Sequence, residues 1–262
     1  MKDLIAFTVK EARAASFAGL FLFLIFSSSY FSIPGLYRYD FLFIAAIAIQ
    51  FLMLALKLET IDEAKTILLF HVIGLVLEIY KTDPRIGSWS YPEPGYLKIA
   101  DVPLYSGFMY ASIGSYIASA WKLFHLRLTQ YPSYAYSVIL AVLIYANFFT
   151  NHFIYDIRYL LITAIFMLYG KTRVEFTPRI RTYTIPLGIS FVCIAFFVWI
   201  AENIGTFYGA WAYPYQIHAW QAVSLHKITS WFLMVIISFI IVSYLKHIKE
   251  TRHVGSMERS EE

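Results

Sequence analysis

Two glutamates, Glu78 and Glu202, each stand a short way upstream of the same aromatic hexapeptide. Gly87-Ser88-Trp89-Ser90-Tyr91-Pro92 returns 122 residues later as Gly209-Ala210-Trp211-Ala212-Tyr213-Pro214, with four identities in six. A pair of carboxylates in apolar surroundings suits general acid–base work, one group donating a proton and the other accepting it. Trp89, Tyr91, Trp211 and Tyr213 would line such a site and could steady a cation with their ring faces. Glycine ahead of tryptophan and proline after tyrosine predict a shaped turn in both copies. The plainer reading makes the glutamates interfacial caps or snorkelling groups and the aromatics membrane-interface anchors.

Other polar side chains gather on the same side of the predicted spans. His71 lies seven residues before Glu78, two turns deeper on one helical face, and Asp101 closes the first motif loop with Asp83 at its other end. These two join the glutamates as catalytic candidates, against a buried histidine bonded to a carbonyl as the ordinary alternative for His71. His152 and Asp156, spaced i, i+4, and His218 and His226 after the second motif are candidate substrate-binding residues. His152 and Asp156 would hold a metal only in a helical turn, and a salt bridge to Arg158 competes with that reading, so no metal and no cofactor is expected.

The elements that must position these groups are membrane helices. The chain of 262 residues is 59% hydrophobic, 19% aromatic and only 15% charged, with a mean hydropathy of +0.61. Apolar runs predict an all-α, polytopic transmembrane bundle of about eight spans. They fall near Ala14–Ile33, Phe41–Leu56, Ala64–Tyr80, Val102–Trp121, Tyr134–Phe149, Ile157–Gly170, Thr184–Ile200 and Lys227–Tyr244. The 122-residue offset overlays the first four spans on the last four. It predicts two parallel four-helix repeats, about 10–125 and 132–248, within one integral membrane domain covering 1–262. Fifteen Lys and Arg fall on the N-terminal side of this arrangement against six on the other, so both termini and a charged tail at 249–262 are expected in the cytoplasm. Residues 1–13 mix basic and acidic groups and do not read as a cleaved signal.

The single cysteine, Cys193, excludes an intrachain disulfide and a thiolate metal cage, and reads as a small buried hydrophobe. No phosphate-cradling glycine loop, zinc-protease helix, nucleophile elbow or aspartate-rich diphosphate motif is present. The net charge of +4 is no argument for nucleic acid. Expected partners are membrane lipids, including anionic headgroups at the basic loop Lys171–Arg181, and an apolar small-molecule substrate; the oligomeric state stays open.

The two hexapeptides with their upstream glutamates, and the run Val102-Pro103-Leu104-Tyr105-Ser106-Gly107-Phe108-Met109-Tyr110, resemble the YoaT-like family of bacterial integral membrane proteins over nearly the whole chain. That resemblance implies a membrane fold and supplies no reaction. Glu202, Gly205, Gly209, Trp211 and Tyr213 are locally similar to membrane carotenoid hydratases and small lycopene cyclases, although the paired-glutamate run of the cyclases is missing. Three functions follow as expectations: an acid–base enzyme acting on a lipid or isoprenoid, a proton-coupled transporter or channel, and a membrane scaffold.

Overall fold

The structure is a computed structural model and describes residues 1–258; the end of the expected tail, 259–262, lies outside the described residues. Nine α-helices are seen among the described residues. In chain order they are α1 (Lys2–Ala14), α2 (Ser16–Ser27), α3 (Arg38–Ala55), α4 (Ile61–Thr82), α5 (Ser106–Phe124), α6 (Tyr134–Thr150), α7 (Arg158–Tyr169), α8 (Leu187–Phe207) and α9 (Lys227–Glu258). Three of them, at Arg38–Ala55, Leu187–Phe207 and Lys227–His247, are long and apolar enough to cross a membrane by length and composition.

Each expected apolar run coincides with one helix from α2 to α9, but several ends move. The chain breaks at Ala15, so α1 separates from the first run and packs on α5, where Tyr116 donates to Glu11 at 2.9 Å. Helix α5 starts at Ser106 instead of Val102. Helix α8 runs on to Phe207, which places Glu202 inside it and not at its end. Helix α4 opens with a capping box, the Thr60 hydroxyl accepting from the Glu63 amide while the Glu63 carboxylate accepts from the Thr60 amide.

The chain is mostly helical, as expected, and its connections add short strands. A two-residue hairpin joins β1 (Lys98–Ile99) to β2 (Val102–Pro103), and β3 (Arg127–Thr129), β4 (Arg173–Phe176) and β5 (Tyr183–Pro186) form an antiparallel sheet in the order β3-β4-β5. The basic loop Lys171–Arg181 therefore contains most of a hairpin. Connecting segments of this kind must satisfy their backbone groups somewhere, and β-branched and aromatic residues such as Val174, Phe176, Tyr183 and Ile185 favour pairing with each other.

The helix contacts fall into matching sets. Helix α2 packs on α3 and α5 as α6 packs on α7 and α9. Helix α4 meets α3, α5 and α6 as α8 meets α7, α9 and α2, and α5 and α9 touch each other at the centre. One apolar core threads all of α2 to α9, from Phe17 and Leu42 through Ala111 and Ile144 to Phe191 and Ile236.

Candidate functional site

The two hexapeptides lie at one end of the bundle and pair directly. The Ser90 amide donates to the Ala212 carbonyl at 2.9 Å, and the Ala212 amide returns a bond to the Ser90 carbonyl at 3.0 Å. Ser90 and Ala212 occupy the same place in their motifs, so this reciprocal pair forms a local dyad. The motif glycines share a backbone state too: Gly87 has φ +57° and Gly209 φ +69°, the left-handed region where glycine carries no steric cost.

Each glutamate is wired within its own set of four helices. Glu78, 2% exposed one turn before the end of α4, accepts from Tyr110 on Oε1 at 2.6 Å, and from Trp89 Nε1 and the Tyr91 hydroxyl on Oε2, both at 2.7 Å. Glu202, 4% exposed in α8, accepts from the Tyr213 hydroxyl on Oε1 and from Trp231 Nε1 on Oε2 at 2.7 Å. The motif tyrosine therefore serves both carboxylates, whereas the indole comes from the motif in one case and from α9 in the other. Trp211 instead packs its ring on Gly205, where even a Cβ would fall 2.4 Å from the indole.

Lys227, the first residue of α9, joins the two arrangements. Its ammonium lies 5.0 Å from the Trp89 ring centroid and 4.4 Å from that of Tyr213, and its charge acts on both Glu78 and Glu202. The surrounding rings touch across the same boundary, Trp89 to Tyr213 at 6.2 Å and Tyr110 to Trp231 at 6.1 Å between centroids. Buried polar groups are costly unless bonded, and here each carboxyl oxygen of Glu78 and Glu202 has a donor.

Of the twelve residues singled out by sequence, Glu78, Glu202, Trp89, Tyr91 and Tyr213 meet in this cluster, with Trp211 packed behind it. His71 is buried deeper in α4, against Phe108 at 4.4 Å between rings, and makes no bond to either carboxylate. Asp101 is exposed at the tip of the β1–β2 hairpin with φ +65°. His152 and Asp156 do not face each other in a helical turn. Arg158 Nε reaches Asp156 at 2.5 Å, and His152 Nε2 lies 2.8 Å from Lys81 Nζ and 3.4 Å from the Ser88 hydroxyl. Burial alone would lift the Asp156 carboxyl, but hydrogen bonds from Asn147 and Arg158 outweigh it and hold it below its ordinary value. Burial and the neighbouring Lys81 charge push His152 down. His218 is exposed, and His226 bonds Tyr159 at 3.1 Å. Among the described residues no group of three or more His, Cys, Asp or Glu could hold a metal. Cys193 faces outward from α8, not into the core.

Sequence reading overlooked Lys227, Tyr110 and Trp231. Lys227 was visible as a lone cation at the foot of an apolar run on the same side as the motifs, and Tyr110 follows Gly107 in a polar-flecked helix; nothing in the local pattern marks Trp231.

A separate cavity of about 370 Å³ opens beside the cluster between Ser28, Phe31, Arg38, Phe41, Glu93 and Tyr208. Arg38 spans it, donating to Glu93 at 2.6 Å, to Ser28 at 3.0 Å and to the Tyr208 carbonyl at 2.7 Å.

Helices of spanning length around a buried acid–lysine–acid cluster define a helical protein of membrane character. The chain belongs to the family described as protein of unknown function (DUF817), whose profile matches residues 3–239. It is 46% identical over 250 residues to the uncharacterized protein YoaT of Bacillus subtilis (strain 168), covering 95% of this chain and 94% of that one. No solved structure matches.

Proposed function

We propose that this is an integral membrane protein of eight spans in two equivalent four-helix halves, with both termini cytoplasmic, whose Glu78–Lys227–Glu202 centre performs acid–base chemistry on an apolar lipid. The matched helix contacts and the reciprocal Ser90–Ala212 pair support the two-half arrangement. One observation carries the functional reading. Each half contributes a buried carboxylate bonded to a tyrosine hydroxyl and an indole, and a single lysine serves both. One carboxyl delivers a proton to a double bond or leaving group, and the other accepts one. Trp89 and Tyr213, whose faces already hold an ammonium, would steady positive charge on an isoprenoid or acyl chain. The test is chromatography and mass spectrometry of lipids from membranes carrying wild type, Glu78→Gln or Lys227→Met. A hydrated or isomerised lipid made only by wild type is the expected result, and its persistence in both variants removes the reading.

A proton-coupled carrier is the second reading, and one observation favours it. Among the described residues no side-chain bond to Glu78 comes from the second half and none to Glu202 from the first, so the halves could rock while each acid keeps its donors. Proton-linked uptake into proteoliposomes, lost in the same variants, would select it.

A further inference from the structure

Lys227 is one of three cations gathered at the hexapeptide end of the bundle, and the acid–base centre uses it alone. Lys81 lies in α4 one turn beyond Glu78, Arg158 opens α7 and Lys227 opens α9. Their charges oppose one another, Lys227 and Arg158 acting on Lys81, and Arg158 on Lys227. Arg158 has a carboxylate partner, Asp156, at 2.5 Å, whereas among the described residues Lys81 and Lys227 form no ion pair. Lys81, 5% exposed, donates to two neutral groups, Asn151 Oδ1 at 3.0 Å and His152 Nε2 at 2.8 Å. An ammonium has no lone pair to accept with, so His152 Nε2 is the acceptor there. The Lys227 ammonium faces the Trp89 and Tyr213 rings and reaches no hydrogen-bond acceptor among the described residues. Glu78 and Glu202 act on it, but both oxygens of each already have donors. His152 is exposed and has the Ser88 hydroxyl 3.4 Å from the same nitrogen, so the group opens outward.

A structural tie from α4 to the turn after α6 accounts for the bonds of Lys81. It does not account for a second lysine and an arginine brought against it with one acid between the three. Like charges held together at a membrane boundary are costly until an anion joins them. The N-terminal ends of α7 and α9 add positive potential at the same place. We propose that Lys81 and Lys227 bind a phosphate group, that of a lipid headgroup, which makes the substrate of the proposed function an isoprenyl or acyl-chain phosphate. The remaining N–H groups of the two ammonium ions hold the phosphate oxygens, as compact charges suited to that task. Arg158 adds to the field, and Asn151 and His152 position Lys81. A phosphate on Lys227 sets the first carbons of its chain against the rings of Trp89 and Tyr213, which bond Glu78 and Glu202. The inference rests on the proposed lipid substrate for the chain alone; the phosphate site stands on the lysines.

The experiment titrates the full chain in mild detergent with farnesyl monophosphate, farnesol and inorganic phosphate, and reads binding by calorimetry. Wild type should hold farnesyl monophosphate at least about tenfold more tightly than either of the others, the difference one charged hydrogen bond makes. Lys81→Gln, which can still bond its neutral neighbours, should lose that preference and leave farnesol binding unchanged. Matching unfolding midpoints establish that the variant is folded, and the wild-type comparison stands by itself if they differ. Farnesol bound as tightly as farnesyl monophosphate by wild type, or an undiminished preference in folded Lys81→Gln, overturns the phosphate site. Inorganic phosphate bound as tightly as the lipid phosphate overturns the headgroup and assigns a free anion. A lipid product made by wild type and lost in Glu78→Gln leaves the acid–base reading standing in either case.

Discussion

Removing one hydroxyl from each side of Glu78 should have unequal effects. Oε1 has a single donor, Tyr110, whereas Oε2 has two, Trp89 and Tyr91. Tyr110→Phe therefore strips the donor from one oxygen of a carboxylate that is 2% exposed. Leaving a buried acceptor without its donor costs about 1 to 3 kcal/mol, and the near-complete burial of Glu78 pushes the loss towards the upper figure. Tyr91→Phe leaves the indole in place on the same oxygen, and about 1 kcal/mol is expected. In a chain of this length those losses lower Tm by about 5 to 10 °C and about 2 to 4 °C respectively. Denaturant or thermal unfolding in mild detergent reads both. The control is the Glu78→Leu background, where the Tyr110 hydroxyl has lost its acceptor and Tyr110→Phe should cost nothing further or restore stability. Equal losses from the two tyrosines, or a Tyr110→Phe loss undiminished in the Glu78→Leu background, would refute the account of Glu78 as a carboxylate held by unevenly shared donors.

Gly74→Ala should reproduce the Tyr110→Phe phenotype by a different route. Its Cβ would stand 2.4 Å from the Tyr110 ring and push that hydroxyl off Glu78, at a cost of about 1 to 3 kcal/mol, while Gly19→Ala, inside α2 with nothing within 4 Å, should raise the unfolding midpoint slightly through helix propensity. His152 supplies a pH dependence. Its folded pKa is lowered by burial and by Lys81, so between that value and about 6.5 the unfolded chain binds the extra proton and stability rises with pH. Stability should therefore fall as pH drops through that window, and His152→Gln should flatten the dependence when midpoints are compared from about pH 7.5 to about pH 5.

The helices and the shared motif were legible because both are one-dimensional signals. Apolar runs located α2 to α9, and the repeated Gly-x-Trp-x-Tyr-Pro marked the two segments that pair through Ser90 and Ala212. Asp101 and His152 drew notice for their residue types, yet backbone geometry decides their fate. A hairpin with positive φ at Ala100 and Asp101 turns that carboxylate to solvent, and a non-helical turn hands Asp156 to Arg158. Trp231 was illegible because its partner lies 29 residues away on another helix, with only the packing of α8 on α9 to bring them together.

The proposed acid–base function draws on where the two motif-bearing segments stop matching. The 122-residue offset sets Lys227 over Tyr105, whose buried hydroxyl bonds the Ala210 carbonyl in the second hexapeptide. At this one equivalent place the first half sends a neutral phenol towards the opposite motif, and the second half sends a cation beneath both. The donors differ as well, three on Glu78 and two on Glu202. Unequal donors and the lysine give Glu78 and Glu202 different surroundings, which suits the division of donor and acceptor roles in the proposed function. The paired hexapeptides thus hold Tyr91 and Tyr213 on their own carboxylates, and a lysine standing where the offset places a second Tyr105 sets one cation against both motifs.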